Sequence, residues 1–147
     1  MRREVPHPIF YLGRRFERLP LTAVNFHTPP AGQVSFSYGT CTIPLPADGG
    51  CGVPVSVQSF PFRAEQWRAA VGCYRVAPVR GVPTVRHDGL ALLTRHGVIK
   101  IYARTRAQER RAAAALRPVG AQRPHGAIPR PRVREVHAME LGCGSLK

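Results

Sequence analysis

"VPTVRHDGLALLTRHGVIKIYART", from Val82 to Thr105, is the stretch whose reading decides the fold. It contains three β-prone runs separated by Asp88-Gly89 and His96-Gly97. Asp-Gly is a favoured two-residue type I′ hairpin turn, because both central positions need positive φ; His-Gly is a weaker version of it. Two hairpins in series predict a three-stranded antiparallel meander. Leu90, Leu92 and Thr94 then line one face of the middle strand. Val98 and Ile101 fall on opposite faces of the third, with Tyr102 on the side of Val98.

Outward from this stretch the patterns change. "TRAQERRAAAALRPVG" predicts a helix: Thr105 is the N-cap and Gln108, three residues on, completes a capping box. The interior is alanine-rich, Arg111 and Arg117 suit the negative end of the dipole, and Pro118 and Gly120 stop the helix. Ala112, Ala115 and Leu116 give it a narrow apolar stripe, enough to lie on a sheet. Upstream, Val34, Phe36 and Tyr38 alternate with Gln33, Ser35 and Ser37, and Val53, Val55 and Val57 alternate with Ser56 and Gln58. Such period-two patterns predict two antiparallel strands with one buried face, Pro54 marking an edge or a strand start. "RAEQWRAAVGC" predicts a short helix around Trp67, a core anchor. The expected fold class is α+β: an antiparallel sheet, made of a hairpin plus a three-stranded meander, with one C-terminal helix packed on it. Residues 1–7 are expected to be flexible, 8–120 to form a single domain, and 121–147 to be a basic, Pro/Arg-rich disordered tail.

The chain has 147 residues, 15 prolines and 14 glycines, a composition that favours short strands and turns over a helical bundle. Lys and Arg number 22 against 8 acids, for a formal net charge of +14. That charge suggests an anionic partner, engaged through the arginines. It is equally explained by the GC-rich codons that arginine shares with alanine, proline and glycine. No stretch approaches the roughly 18–20 apolar residues of a membrane span. The start, "MRREVPHPIFYLG", lacks the apolar h-region of a signal peptide.

Cysteines stand at 41, 51, 73 and 143, without the close pairing of zinc ligands, so no metal and no cofactor are expected. Cys41 and Cys51 flank the loop that joins the two alternating strands. A hairpin would bring the loop ends within disulfide reach, a staple contributing roughly 2–3 kcal/mol. The alternative is two reduced thiols in a cytoplasmic protein. Cys73 is then a buried thiol or the partner of something outside the chain, and Cys143 an exposed free thiol in the tail. An extracytoplasmic domain whose leader is missing from the sequence would reconcile these expectations.

The stretches "YLGRRFERLPLTAV", "VSFSYGTC" and "GGCGVPVSVQSFP" resemble a group of uncharacterised predicted secreted or membrane-anchored proteins of high-GC bacteria. The likeness spans about Ile9 to Phe60, and more loosely the meander and helix. It implies an extracytoplasmic α+β domain and supplies no activity.

Catalytic chemistry finds little to use. Asp48 and Asp88 adjoin glycines and serve turns, and Glu65 and Glu109 fall on helices beside arginines, where solvation is expected. His87 and Asp88 adjoin in a turn rather than forming a dyad. Cys73 with His87 or His96 carries no hydrolase signature. Tyr11, Phe16, Phe36, Tyr38 and Tyr102 would suit base stacking, but their alternation reads as core. The leading expectation is a non-enzymatic extracytoplasmic structural or binding domain. The alternative is a basic cytoplasmic protein with weak, non-specific nucleic-acid affinity through Arg123, Arg130, Arg132 and Arg134.

Overall fold

The computed structural model describes residues 7–27, 32–41, 43–44, 51–63, 73–120 and 127–143. The helix expected around Trp67, residues 1–6 of the stretch 1–7 expected to be flexible, and Arg123 lie outside them.

The centre is an antiparallel sheet, as expected, but a larger one. Its strands are β2 (Arg15–Phe16), β3 (Leu19–His27), β4 (Gln33–Tyr38), β7 (Val55–Pro61), β8 (Tyr74–Val79), β9 (Val82–Arg86), β10 (Leu90–Thr94) and β11 (Gly97–Ala103). They are ordered β2-β3-β4-β7-β11-β10-β9-β8, so the hairpin and the meander are one eight-stranded sheet rather than two units. The join is β7. It pairs with β4 from Tyr38↔Val55 to Val34↔Ser59, and with β11 from Ala103↔Val55 to Gly97↔Pro61. Two short ladders stand apart: β1 (Phe10–Tyr11) with β12 (Arg117–Pro118), and β5 (Ile43–Pro44) with β6 (Cys51–Gly52).

The meander forms where expected, with different turns. Arg86↔Leu90 closes a three-residue loop in which Asp88 and Gly89 both have positive φ, 51° and 128°. A Cβ on Gly89 would stand 2.5 Å from the Ile101 carbonyl oxygen, so glycine is required there. At the second turn Thr94↔Gly97 pair, so the tip is Arg95-His96, with His96 at φ 67°; Gly97 is already in β11. A fourth strand, β8, precedes the meander through Arg80-Gly81, both at positive φ as a type I′ turn needs.

Helix α1 (Arg106–Ala115) starts as expected, with the Thr105 hydroxyl accepting from Gln108 N at 3.1 Å. The glutamine reaches back to Arg104 N, one residue earlier than a capping box requires. Ala112, Ala113 and Leu116 are buried on the sheet, while Ala115 is only partly covered. Neither Arg111 nor Arg117 sits in its last turn: Arg111 pairs with Glu17, and Arg117 lies in β12 over the Tyr11 ring.

The segment expected to be a disordered tail contains helix α2 (Val133–Gly142). Ile128 enters the core that α1 covers. The chain then rounds the β10–β11 tip, where Arg95 N donates to the Pro129 carbonyl, and α2 packs on the opposite face. There Met139 and Cys143 meet Val85, Ala91, Leu93 and Val98. This explains why all five residues of β10 are buried: Leu90 and Leu92 face α1's side, Ala91 and Leu93 face α2's. Among the described residues no helix is long and apolar enough to cross a membrane.

Candidate functional site

Cys73 and Cys143 form a disulfide across 70 residues of sequence, with Cα atoms 5.0 Å apart. Both expectations for them are thereby corrected. Cys73, just before β8, is bonded within the chain, and Cys143, fully buried at the end of α2, is not an exposed free thiol. The ion pair of Arg75 Nη1 with Glu140 Oε1, at 2.9 Å, ties β8 to α2 beside it.

Cys41 is exposed in a bend after β4 and is disulfide-bonded. The side chain of Cys51 lies outside the described residues. Its backbone sits in β6 opposite Pro44, so the two cysteines are not directly opposed in a ladder. The β4–β7 ladder ends at Tyr38↔Val55, however, and Cys41 and Cys51 both lie just beyond that end.

The buried polar groups are bound to the fold. The Tyr38 hydroxyl donates to the Gly13 carbonyl at 3.0 Å and accepts from Leu12 N at 2.7 Å, pinning the N-terminal segment over the sheet. Burial pushes its pKa up to about 12. Arg80 Nη1 donates to the Leu116 and Ala113 carbonyls, supplying the positive charge at the C-terminus of α1; desolvation lowers its pKa. Glu109 was expected to be solvated and is instead buried. Its Oε2 lies 2.7 Å from Arg86 Nη1, a Coulombic contact whose angles fall short of a hydrogen bond. Glu135, also buried, accepts from His96 N at 3.2 Å. His7 Nε2 is 2.8 Å from the Gly32 carbonyl. His87 N donates to the Gly89 carbonyl, as a turn residue does. Among the described residues no three His, Cys, Asp or Glu side chains converge as metal ligands would.

Two surfaces stand out. The first joins the β10–β11 tip to the start of α2. Arg95, Arg130, Arg132 and Arg134 are all exposed there. Arg132 Nη2 is 3.5 Å from His96 Nε2, and Arg130 reaches over Gly81 in the neighbouring turn. Of the arginines read as a phosphate-contacting tail, the structure thus brings three to one end of the sheet and adds Arg95. The second is an open, mostly apolar groove of about 560 Å³ where Phe26 meets His7, Ile9, Phe10 and Val119. Of the aromatics read as core, Phe16, Phe36 and Tyr38 are buried core residues, and Tyr11 packs on Phe36 with ring centroids 5.4 Å apart.

No family model matches the chain, and no curated protein or solved structure matches it either.

The roles of Arg80 and Glu109 were missed by sequence reasoning. Arg80-Gly81 between two β-prone runs was a hairpin signal. Nothing local foretold that Glu109 would face β9.

Proposed function

We propose that this chain is a non-enzymatic binding or structural domain adapted to an oxidising, extracytoplasmic setting, held by two staples, Cys73–Cys143 and Cys41–Cys51. The observation that carries this reading is the Cys73–Cys143 disulfide, since such bonds persist in oxidising compartments and are rare in reducing ones. Cys41 is itself disulfide-bonded, which supports the second staple. The secreted or membrane-anchored proteins that "VSFSYGTC" and "GGCGVPVSVQSFP" resemble imply the same setting. The reading of a binding role rather than catalysis draws support from Tyr38, Arg80, Glu109 and Glu135, whose polar atoms are spent on holding strands and helices together. The test is acid-quenched alkylation of the protein in the cells that make it. Four blocked cysteines support the proposal; four alkylated cysteines in the folded protein refute it.

The second reading, polyanion contact by a cytoplasmic protein, is favoured by the exposed cluster of Arg95, Arg130, Arg132 and Arg134. Filter binding to single-stranded and duplex DNA tests it. Retention at low salt that falls steeply with added salt, and is lost in R130A/R132A/R134A, supports this reading. Absence of retention at low salt removes it.

A further inference from the structure

The arginine cluster at the β10–β11 tip has an apolar residue in its midst. Val133, the first residue of α2, stands between Arg132 and Arg134 in the chain. It is 87% exposed, more than any other large hydrophobic side chain among the described residues. Arg130 precedes it by three positions, and Arg95 and His96 join the same end from the sheet. Arg132 Nη2 is 3.5 Å from His96 Nε2, and Arg95 N donates to the Pro129 carbonyl. Among the described residues none of these four arginines pairs with an acid. The two acids of α2 are engaged elsewhere: Glu135 is buried and accepts from His96 N, and Glu140 pairs with Arg75. Four positive charges thus surround one exposed aliphatic side chain.

We propose that this patch docks the chain on an anionic lipid bilayer, with the arginines on headgroup phosphates and Val133 at the acyl boundary beneath them. The proposal names a partner for the binding domain inferred above and rests on that reading. Cationic side chains around an apolar one match the two layers of such a surface, negative headgroups over hydrocarbon. A nucleic acid also offers phosphates, but it leaves Val133 without a role. Residues 94–97 and 127–137 contain no Phe, Tyr or Trp on which a base could stack. An acidic protein would need an apolar centre to its interface, which one valine does not supply.

Co-sedimentation of the intact chain with vesicles tests the proposal. The chain is expected to bind vesicles of equal parts phosphatidylcholine and phosphatidylglycerol, not phosphatidylcholine alone, and to be released by added NaCl. With +14 on the whole chain, salt does not single out the patch, and variants of exposed residues must. R130A/R132A/R134A is expected to weaken binding about hundredfold, at roughly fivefold per arginine. R14A/R15A/R18A removes the same charge around β2, which β3, β4 and β7 separate from β11, and is expected to weaken it less than about fivefold. V133S weakens vesicle binding about fivefold and V133W tightens it by a similar factor, while neither changes retention by duplex DNA. No binding to the mixed vesicles at low salt overturns the proposal. So does binding that the two triple variants weaken alike. Vesicle binding unchanged in V133S and V133W, with duplex DNA displacing the chain from the vesicles, assigns the patch to nucleic acid and also overturns it. Cysteine alkylation reads the oxidised domain whichever way the vesicles fall, so either reading can fail alone.

Discussion

Arg86 Nη1 and Glu109 Oε2 stand 2.7 Å apart between β9 and α1, with side chains only 17% and 7% exposed. The pair anchors the helix to the far side of the sheet from β3. Removing one member strands the other in a poorly solvated place. Glu109→Ala is expected to lower stability by ~3 kcal/mol, the low end of the range for buried pairs because Arg86 keeps some solvent. The joint replacement R86M/E109L is expected to cost far less. A double-mutant cycle in urea measures both.

Tyr38 makes stability sensitive to alkali. Its pKa is about 12 in the folded protein against an ordinary 10.0. The folded state therefore holds the proton more tightly, and the contribution is complete below pH 10 and lost as pH rises from 10 to 12. Tyr38→Phe leaves Leu12 N without its acceptor and is expected to cost about 1–3 kcal/mol at neutral pH. The gap between wild type and Y38F should narrow across pH 10–12 in denaturant titrations at stepped pH. A constant gap would contradict the assignment.

Arg80 takes the C-terminal role on α1 that the sequence suggested for Arg111 and Arg117. Arg80→Ala is expected to destabilise by about 1.5–3 kcal/mol, as loss of a charged hydrogen bond does. Arg111→Ala breaks only an exposed pair with Glu17 and should change stability by less than about 1 kcal/mol. Thermal unfolding of the two variants side by side checks the ranking.

Cys73→Ser and Cys143→Ser release α2 from the sheet. Opening a 70-residue loop is worth about 4 kcal/mol in the chain-entropy account. Both variants are expected to lose about that much and to bind a hydrophobic dye where Met139 leaves Leu93 and Val98 exposed. The double variant should match either single one, because the two residues form one bond.

What local patterns dictate was legible. Asp88-Gly89 and the alternation around Leu90 and Leu92 marked the meander, Thr105 with Gln108 marked the start of α1, and Val34–Tyr38 marked β4. What depends on distant pairing was not. That β7 joins β4 to β11 follows from strand packing that no short window contains. Helix α2 was hidden because Arg132 at its N-cap makes no side-chain cap bond and its apolar positions are few. It is held by Met139 in a remote core and by a cysteine 70 residues away. The place of Arg95 in the arginine cluster was hidden for the same reason: it joins Arg130, Arg132 and Arg134 only once α2 docks at the β10–β11 tip.

The central claim is that covalent staples hold this sheet and its second helix in an oxidised domain. Proteolysis of the unreduced protein followed by mass spectrometry tests it most directly. The account predicts one peptide pair linked through Cys73 and Cys143, a second linkage through Cys41 and Cys51, and no alkylated cysteine. Free Cys73 and Cys143 in folded protein prepared without reductant, or a Cys41–Cys143 linkage, would contradict it.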